Sequence, residues 1–438
     1  MNLILAIPLE LRLAGLFVLG VCAAGLANLA IYRLAWNPRR ISPWSRPEPD
    51  APPRRPTDRV PVLGWLGLRR ETPLFGPGFW VRPMLVELLV GFAFAWLYWW
   101  EIDQKALLPL QLAAVFPAAW MPMLHAQYAC HLVLIWLMLV ASLIDADEKT
   151  IPDTITIPGT LLGLAVAAAY PWSMLPVREV QFLPGGGFQP QDSFLQLTSP
   201  LWCGHWPAWL RGYPQAGSLG VALGCWWLWC VGLMPRSWYT RHGYCRALAL
   251  SWARLRRESA TWKILVMGLV GSVPIAGVWV LGGAEWGAAG GPWVAWAGLV
   301  SSLVGMAAGG LLVWIIRIIG TNVLGREAMG FGDVTLLAMI GTFLGWQSCL
   351  VIFFLAPFYA LGIGVLRLLL HAEREIPYGP FLCLATLTLL VRWSAVWAWL
   401  APVFGQLGAW IPLVVLVCMV LMALMLGTWR LILACFVR

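Results

Sequence analysis

The chain has 438 residues, 60% of them hydrophobic and 11% charged, with a formal net charge of +9 and a mean hydropathy of +0.76. Soluble domains carry about 25% charged residues, so this composition cannot build a water-facing surface, and most of the exterior must face lipid. The charge does not point to nucleic acid as a partner, because the arginines sit in short loops between apolar runs, where the positive-inside bias accounts for them.

Spans of roughly 20 apolar residues are predicted over 11–32, 82–100, 126–144, 155–171, 217–234, 263–282, 292–319, 334–346, 349–370, 380–400 and 408–436. The run 106–124 is also apolar, but Pro109, Pro117 and Pro122 break it. It suits a re-entrant or interfacial segment as well as a further span. The fold class is therefore an all-α polytopic transmembrane bundle of about ten to twelve spans. The first run is too long for a signal-peptide core and is expected to be retained. Many of the thirty tryptophans fall near the ends of apolar runs, as at Trp96, Trp99 and Trp100, where the ring suits the membrane–water interface. The ten cysteines form no C-x-x-C, and several lie inside apolar runs as small core residues.

The loop after the first span carries Arg39, Arg40, Arg46, Arg54, Arg55, Arg59, Arg69 and Arg70 and should be cytoplasmic. Its proline-rich middle (PEPDAPPRRP) is expected to be extended and poorly ordered. A second basic loop holds Arg236, Arg241, Arg246, Arg254, Arg256, Arg257 and Lys263 and should lie on the same side. The segment 172–216, poor in basic residues and carrying a GGGF turn, belongs on the other. From these anchors, the third and seventh spans both end at the cytoplasmic face, provided 106–124 does not cross fully. That places two acidic motifs, 188 positions apart, at similar depth.

The first motif is SLIDADEKTIPD, residues 142–153. An apolar helix runs into Asp145, and Pro152 breaks the backbone before the next helix. Asp153 suits the start of that helix, where a carboxylate can cap free N–H groups. Asp147 and Asp153 read better as loop or capping residues than as reacting groups. Asp145 lies nearest the apolar span, where an ionisable group is costly and usually functional.

The second motif is GREAMGFGDVTLLA, residues 325–338. Gly330 and Gly332 allow another backbone to approach closely. Taken alone, Asp333 reads equally well as a cap on the following helix. As a pair with Asp145 it reads differently. Two carboxylates held together do not both ionise readily, so one can act as general base on water while the other donates a proton. No metal or covalent intermediate is needed. The histidines at 125, 131, 205, 242 and 371 are scattered, and no G-x-S-x-G, H-E-x-x-H or P-loop occurs.

At these residues the chain resembles the type IV prepilin peptidase family, G-x-G-D aspartyl intramembrane peptidases. SLIDADEKTIPDTITIP is similar to the family's first aspartate pattern, and MGFGDVTLLAMIGTFLGW to its second. IPYGPF, with Pro377, Gly379 and Pro380, is similar to a P-x-G-P before a late span. NLAIYR at 28–33 and VPVLGWL at 60–66 also fit the family.

The resemblance implies Asp145 and Asp333 as the catalytic pair. It implies site-shaping or substrate-binding roles for Gly330, Gly332, Pro152, Asp153, Asp147, Pro377, Gly379 and Pro380. It further implies a bacterial inner-membrane enzyme, with its site at the cytoplasmic face. That site would remove a short basic leader from a prepilin-like or pseudopilin substrate with an apolar N-terminal helix.

The chain departs from the family in three ways. Many members carry two C-x-x-C pairs, a zinc site, in the first loop. Here residues 33–81 hold no cysteine, so no zinc is expected. Many members also N-methylate the new terminus with S-adenosylmethionine. That activity is tied to the altered N-terminal region, and the resemblance leaves it open here. Proteolysis itself requires no cofactor. Finally, the stretch between the aspartates is long. This divides the chain into 1–80 (first span and cysteine-free loop), 81–171 (core with the first aspartate), 172–282 (insertion with two extra spans) and 283–438 (core with the second aspartate). Thr335 also stands where the family often has lysine. The competing readings are a transporter using intramembrane carboxylates, of which Glu87 is the main other one, and an inactive relative that binds pilin-like helices.

Overall fold

The structure is a computed structural model and describes residues 7–108, 121–182, 188–194, 216–234, 249, 252–253, 256–281, 292–324, 329–369 and 377–436. Lipid offers the backbone no hydrogen-bond partners, so long apolar runs must close their bonds internally as helices. The elements in order are α1 (Leu9–Leu34), the short α2 (Leu63–Gly67) and α3 (Thr72–Phe75), α4 (Val81–Tyr98), α5 (Met121–Glu148) and α6 (Asp153–Ala169). They continue with β1 (Pro176–Phe182), β2 (Phe188–Phe194), α7 (Ala216–Leu233), α8 (Ser259–Leu281), α9 (Pro292–Leu324), α10 (Phe331–Leu369), α11 (Gly379–Val391), α12 (Trp393–Leu407) and α13 (Ile411–Phe436).

The expected polytopic all-α bundle is what forms. Among the described residues, eight helices are long and apolar enough to cross a membrane. α11 and α12, bent by 92°, together make a ninth, and α6, at 17 residues, is just shorter. Only with both included does the number reach the lower end of the expected range. The runs predicted separately at 334–346 and 349–370 correspond to the two helical segments of α10, which meet at Gly345, where φ 80° and ψ 172° are not helical. A kink at a glycine needs no gap in the apolar sequence. One element is not helical: β1 and β2 pair antiparallel, from Pro176 opposite Phe194 to Phe182 opposite Phe188. Most of the expected GGGF turn, the second basic loop except a few residues, and Arg326 lie outside the described residues.

The two ends of the bundle can be told apart by hydrogen bonds. At one end, the Trp36 and Asn37 amides after α1 donate to the Glu148 carboxylate at the end of α5 (2.6 and 3.0 Å). There too, Arg82 at the start of α4 pairs with Asp147. At the other end, the Tyr98 hydroxyl lies 3.1 Å from His125 Nε2, and Gln127 donates to the Trp172 and Met174 carbonyls. α4 and α5 are thus antiparallel, and the chain between them returns to the side it leaves. Residues 109–120 of that connection lie outside the described residues.

The first loop differs from expectation. Its middle has no regular element over 52–55, and Arg55 is extended (φ −90°, ψ 154°), but it is held in place. Arg54 reaches both Glu71 carboxylate oxygens at 2.8 Å and also donates to the Ser42, Ser45 and Arg40 carbonyls. Glu71 is fully buried. Arg70 pairs with Asp58, and Trp65 and Leu68 are buried beside them. Charged residues in a proline-rich stretch usually signal disorder because they are taken to be solvated. Here they are spent on one another and on backbone carbonyls.

Two further carboxylates are buried in the bundle. Glu87 accepts from Asn28 Nδ2 (3.1 Å), the Val62 amide (2.5 Å) and Trp65 Nε1 (2.9 Å). Glu101, in a π-helical turn that extends α4 to Asp103, lies 2.8 Å from His131 Nδ1. Neither sits in the aspartate motifs.

Candidate active site

α5 carries Asp145 into its last turn. The helix then stops because Lys149 adopts φ 56°, its amide still donating to the Asp145 carbonyl (2.8 Å), and because Pro152 follows. Pro152 is the N-cap of α6, and its carbonyl accepts from the Ile155 and Thr156 amides. Asp153 is the first residue of α6, exposed and without a side-chain capping bond. The capping role expected for it is not found; its charge faces the positive end of the helix dipole instead.

Asp333 enters from the other half of the chain, in the first turn of α10. That helix is pressed against its neighbours at small residues. A Cβ on Gly305 of α9 or on Gly341 of α10 would strike the other's carbonyl, and one on Gly163 of α6 would strike Thr342. Such close crossings are how membrane helices gain packing where no hydrophobic driving force remains.

The two motifs meet through Ile151. A Cβ on Gly332 would lie 2.7 Å from the Ile151 Cβ, so the glycine before Asp333 packs directly on the turn after Asp145. α11 closes the third side. A Cβ on Gly379 would lie 2.5 Å from Asp145 Oδ2 and 3.0 Å from Ile151 Cδ1. Asp145 and Asp333 are 4% and 6% exposed, and each lies within the other's electrostatic reach. The Gly379 amide donates to Asp145 and the Gly330 amide to Asp333. Among the described residues, Asp145 Oδ2 is buried without a hydrogen-bond partner.

The remaining predicted residues divide by geometry. Gly330 differs from Gly332 and Gly379: a Cβ there would only touch Asp333 at 3.7 Å. Pro380 lies in the first turn of α11, where its missing N–H costs nothing, and Pro377 stands just before that helix. Asp147 is turned away from the pair. Arg82 holds it at 2.6 and 2.9 Å and reaches the Leu143 carbonyl at 3.4 Å. Thr335 donates to the Gly332 carbonyl at 3.0 Å, which steadies the turn before Asp333.

Three residues went unnoticed in the sequence. Arg82 brackets Asp145 from both sides, through Leu143 and Asp147. Arg317 of α9 donates to the Met329 carbonyl at 2.9 Å and lies 5.7 Å from the Phe331 ring centre, and so holds the segment that leads to Asp333. Tyr378 lies beside Asp333, and burial together with that carboxylate's charge pushes its phenol up from the usual range. Tyr378 occupies the variable position of P-x-G-P, so the motif itself was a signal. Nothing in the local sequence marks either arginine. A shallow cleft opens next to the Asp145 turn, lined by Tyr32, Asn37, Arg39, Asp147 and Glu148 among others. Among the described residues, no group of three His, Cys, Asp or Glu side chains is placed to hold a metal ion.

Comparison with known proteins bears on the same residues. The type IV leader peptidase family matches residues 132–186 and 261–365, which contain Asp145 and Asp333 respectively. The chain is similar to proteins named prepilin leader peptidase/N-methyltransferase. One from Aeromonas hydrophila is 32% identical over 104 residues, covering 23% of this chain and 36% of the relative. One from Myxococcus xanthus is 30% identical over 176 residues, covering 40% and 45%. One from Dichelobacter nodosus is 37% identical over 91 residues, covering 20% and 30%. The chain thus spans under half the length of the curated relatives it matches. No solved structure matches it. The resemblance carried by the two aspartate motifs is therefore borne out: over residues 132–186 and 261–365 this multi-pass membrane chain matches the type IV leader peptidase family.

Proposed function

We propose that the chain is an aspartic endopeptidase in which Asp145 and Asp333 share one proton and activate water between them. The ionised member acts as general base on the water. The protonated member polarises the scissile carbonyl and then supplies a proton to the leaving nitrogen. One observation carries this reading: two buried carboxylates from motifs 188 positions apart lie within electrostatic reach of each other, with Gly332 packed on Ile151 and Gly379 on Asp145. The unsatisfied Asp145 oxygen supports it too, because a buried carboxylate oxygen without a donor is the natural place for a shared proton or a reacting water.

The substrate class follows from the relatives' names. We take it to be a prepilin-like or pseudopilin chain with a short basic leader before an apolar helix, cut at the cytoplasmic face of a bacterial inner membrane. The basic first loop lies at the aspartate end of the bundle, which supports that side. We assign only the peptidase half of the relatives' name. Methylation with S-adenosylmethionine remains open, since the first loop lies outside the matched segments and holds no cysteine for the family's zinc site. The insertion is also our reading. The match is interrupted between 186 and 261, which supports extra chain there, although α8 falls almost wholly within the second matched segment. Glu87 and Glu101 are each held by local partners, which weighs against a carboxylate relay for transport.

The test is to incubate purified full-length protein with a synthetic prepilin-like peptide in lipid and weigh the products. The reading expects a single cut between the basic leader and the apolar segment. Intact peptide throughout, with the protein folded, would contradict it.

A further inference from the structure

We propose that residues 60–68 of the first loop dip into the lipid boundary on the aspartate side, and that Arg59 and Arg69 there bind anionic phospholipid headgroups. The depth of this segment is fixed by its anchors. The Val62 amide and Trp65 Nε1 both bond Glu87, and Asn28 bonds the same carboxylate. Glu87 lies six residues inside α4, and Asn28 six residues before the end of α1. At 1.5 Å per residue each is about 9 Å from the helix end. The segment therefore runs beside the spans, below the level of Arg82, not above them in water.

Its two faces differ accordingly. Gly64, Trp65 and Leu68 are buried, and a Cβ on Gly64 would strike the Asp58 carbonyl, so this face is closed against the loop. Leu63, Leu66 and Val60 point outward, 65%, 41% and 46% exposed. An open apolar face at that depth meets acyl chains. The charge flanking it is positive. Arg59 and Arg69 are exposed, lying 5.7 Å from the Trp44 ring centre and 4.0 Å from that of Trp80, which immediately precedes α4. The nearby acids Asp58 and Glu71 are buried and paired with Arg70 and Arg54. A guanidinium stacked on an interfacial tryptophan, with the neighbouring Asp58 and Glu71 already paired to other arginines, complements a phosphodiester headgroup.

The inference is independent of the peptidase reading and is tested on the full chain in phosphatidylcholine vesicles containing phosphatidylglycerol. A genetically encoded fluorescent residue at position 63 should be quenched by lipid with brominated acyl chains, and one at the exposed position 57 should not. Quenching at 63 by aqueous iodide, and none by brominated lipid, would overturn the depth assignment and leave the face open to a protein partner instead. Native mass spectrometry reads the headgroups. Retention of phosphatidylglycerol over phosphatidylcholine should fall about fivefold for each of Arg59→Gln and Arg69→Gln and persist in the lysine variants. Unchanged retention in the double glutamine variant, or its loss to inorganic phosphate alone, would overturn the headgroup assignment.

Discussion

Single atoms decide the site at the residue scale. Gly379 and Gly332 have no room for a methyl group, because Asp145 Oδ2 and Ile151 occupy the space. Gly330 has room. Gly379→Ala and Gly332→Ala should therefore each lower peptide cleavage by about 100-fold, the cost of displacing a reacting group by roughly 1 Å. Gly330→Ala should lower it much less. Equal losses at all three, measured as kcat on purified variants, would contradict the steric account. The arginines act through backbone. Arg82→Gln frees Asp147 and the Leu143 carbonyl, and Arg317→Gln frees the Met329 carbonyl. Each should lower kcat by about tenfold with KM nearly unchanged, since positioning and not substrate contact is lost.

These residues also show what the sequence could reveal. Asp145 and Asp333 were legible because an acid beside an apolar span stands out against its surroundings. Asp153 was misread as a cap, because sequence cannot say that Pro152 already takes the N-cap position. Arg82 and Arg317 were invisible. Arg82 meets Asp147 and the Leu143 carbonyl only through packing of α4 on α5, and Arg317 meets a backbone carbonyl, at Met329, which no residue type marks.

At the scale of elements, apolar run length located the helices well, because in lipid that length and internal hydrogen bonding leave no alternative. Breaks were legible in part: the two segments of α10 meet at the non-helical Gly345, next to the expected break, whereas the bend between α11 and α12 falls at Arg392 inside a predicted span. The first loop was the largest miss. Its prolines and charges suggested disorder, yet Arg54 and Glu71 form a buried pair that organises it. Removing one partner of such a pair strands a buried charge, at a cost of about 3–5 kcal/mol. Arg54→Ala should therefore make residues 40–70 rapidly cleavable by added protease while leaving α5 and α10 protected. An equally resistant loop in the variant would show that the pair does not hold it.

For the whole molecule, the bundle brings together chain segments that sequence separates by an unmatched stretch between 186 and 261. α5 and α6 form one wall and α10 and α11 the other, while α7 lies in the unmatched stretch. The unmatched stretch does not have to disturb the pair, because the contacts named for both aspartates come from the matched segments, α11 and Arg82 of α4. The central claim is that neither carboxylate serves without the other. It is tested most directly by measuring cleavage of a prepilin-like peptide by purified Asp145→Asn and Asp333→Asn proteins, each checked for folding by its thermal transition. Asparagine keeps the shape and removes the titratable group, so each variant should lose at least about 100-fold in rate while remaining folded. Wild-type cleavage by either variant would contradict the account.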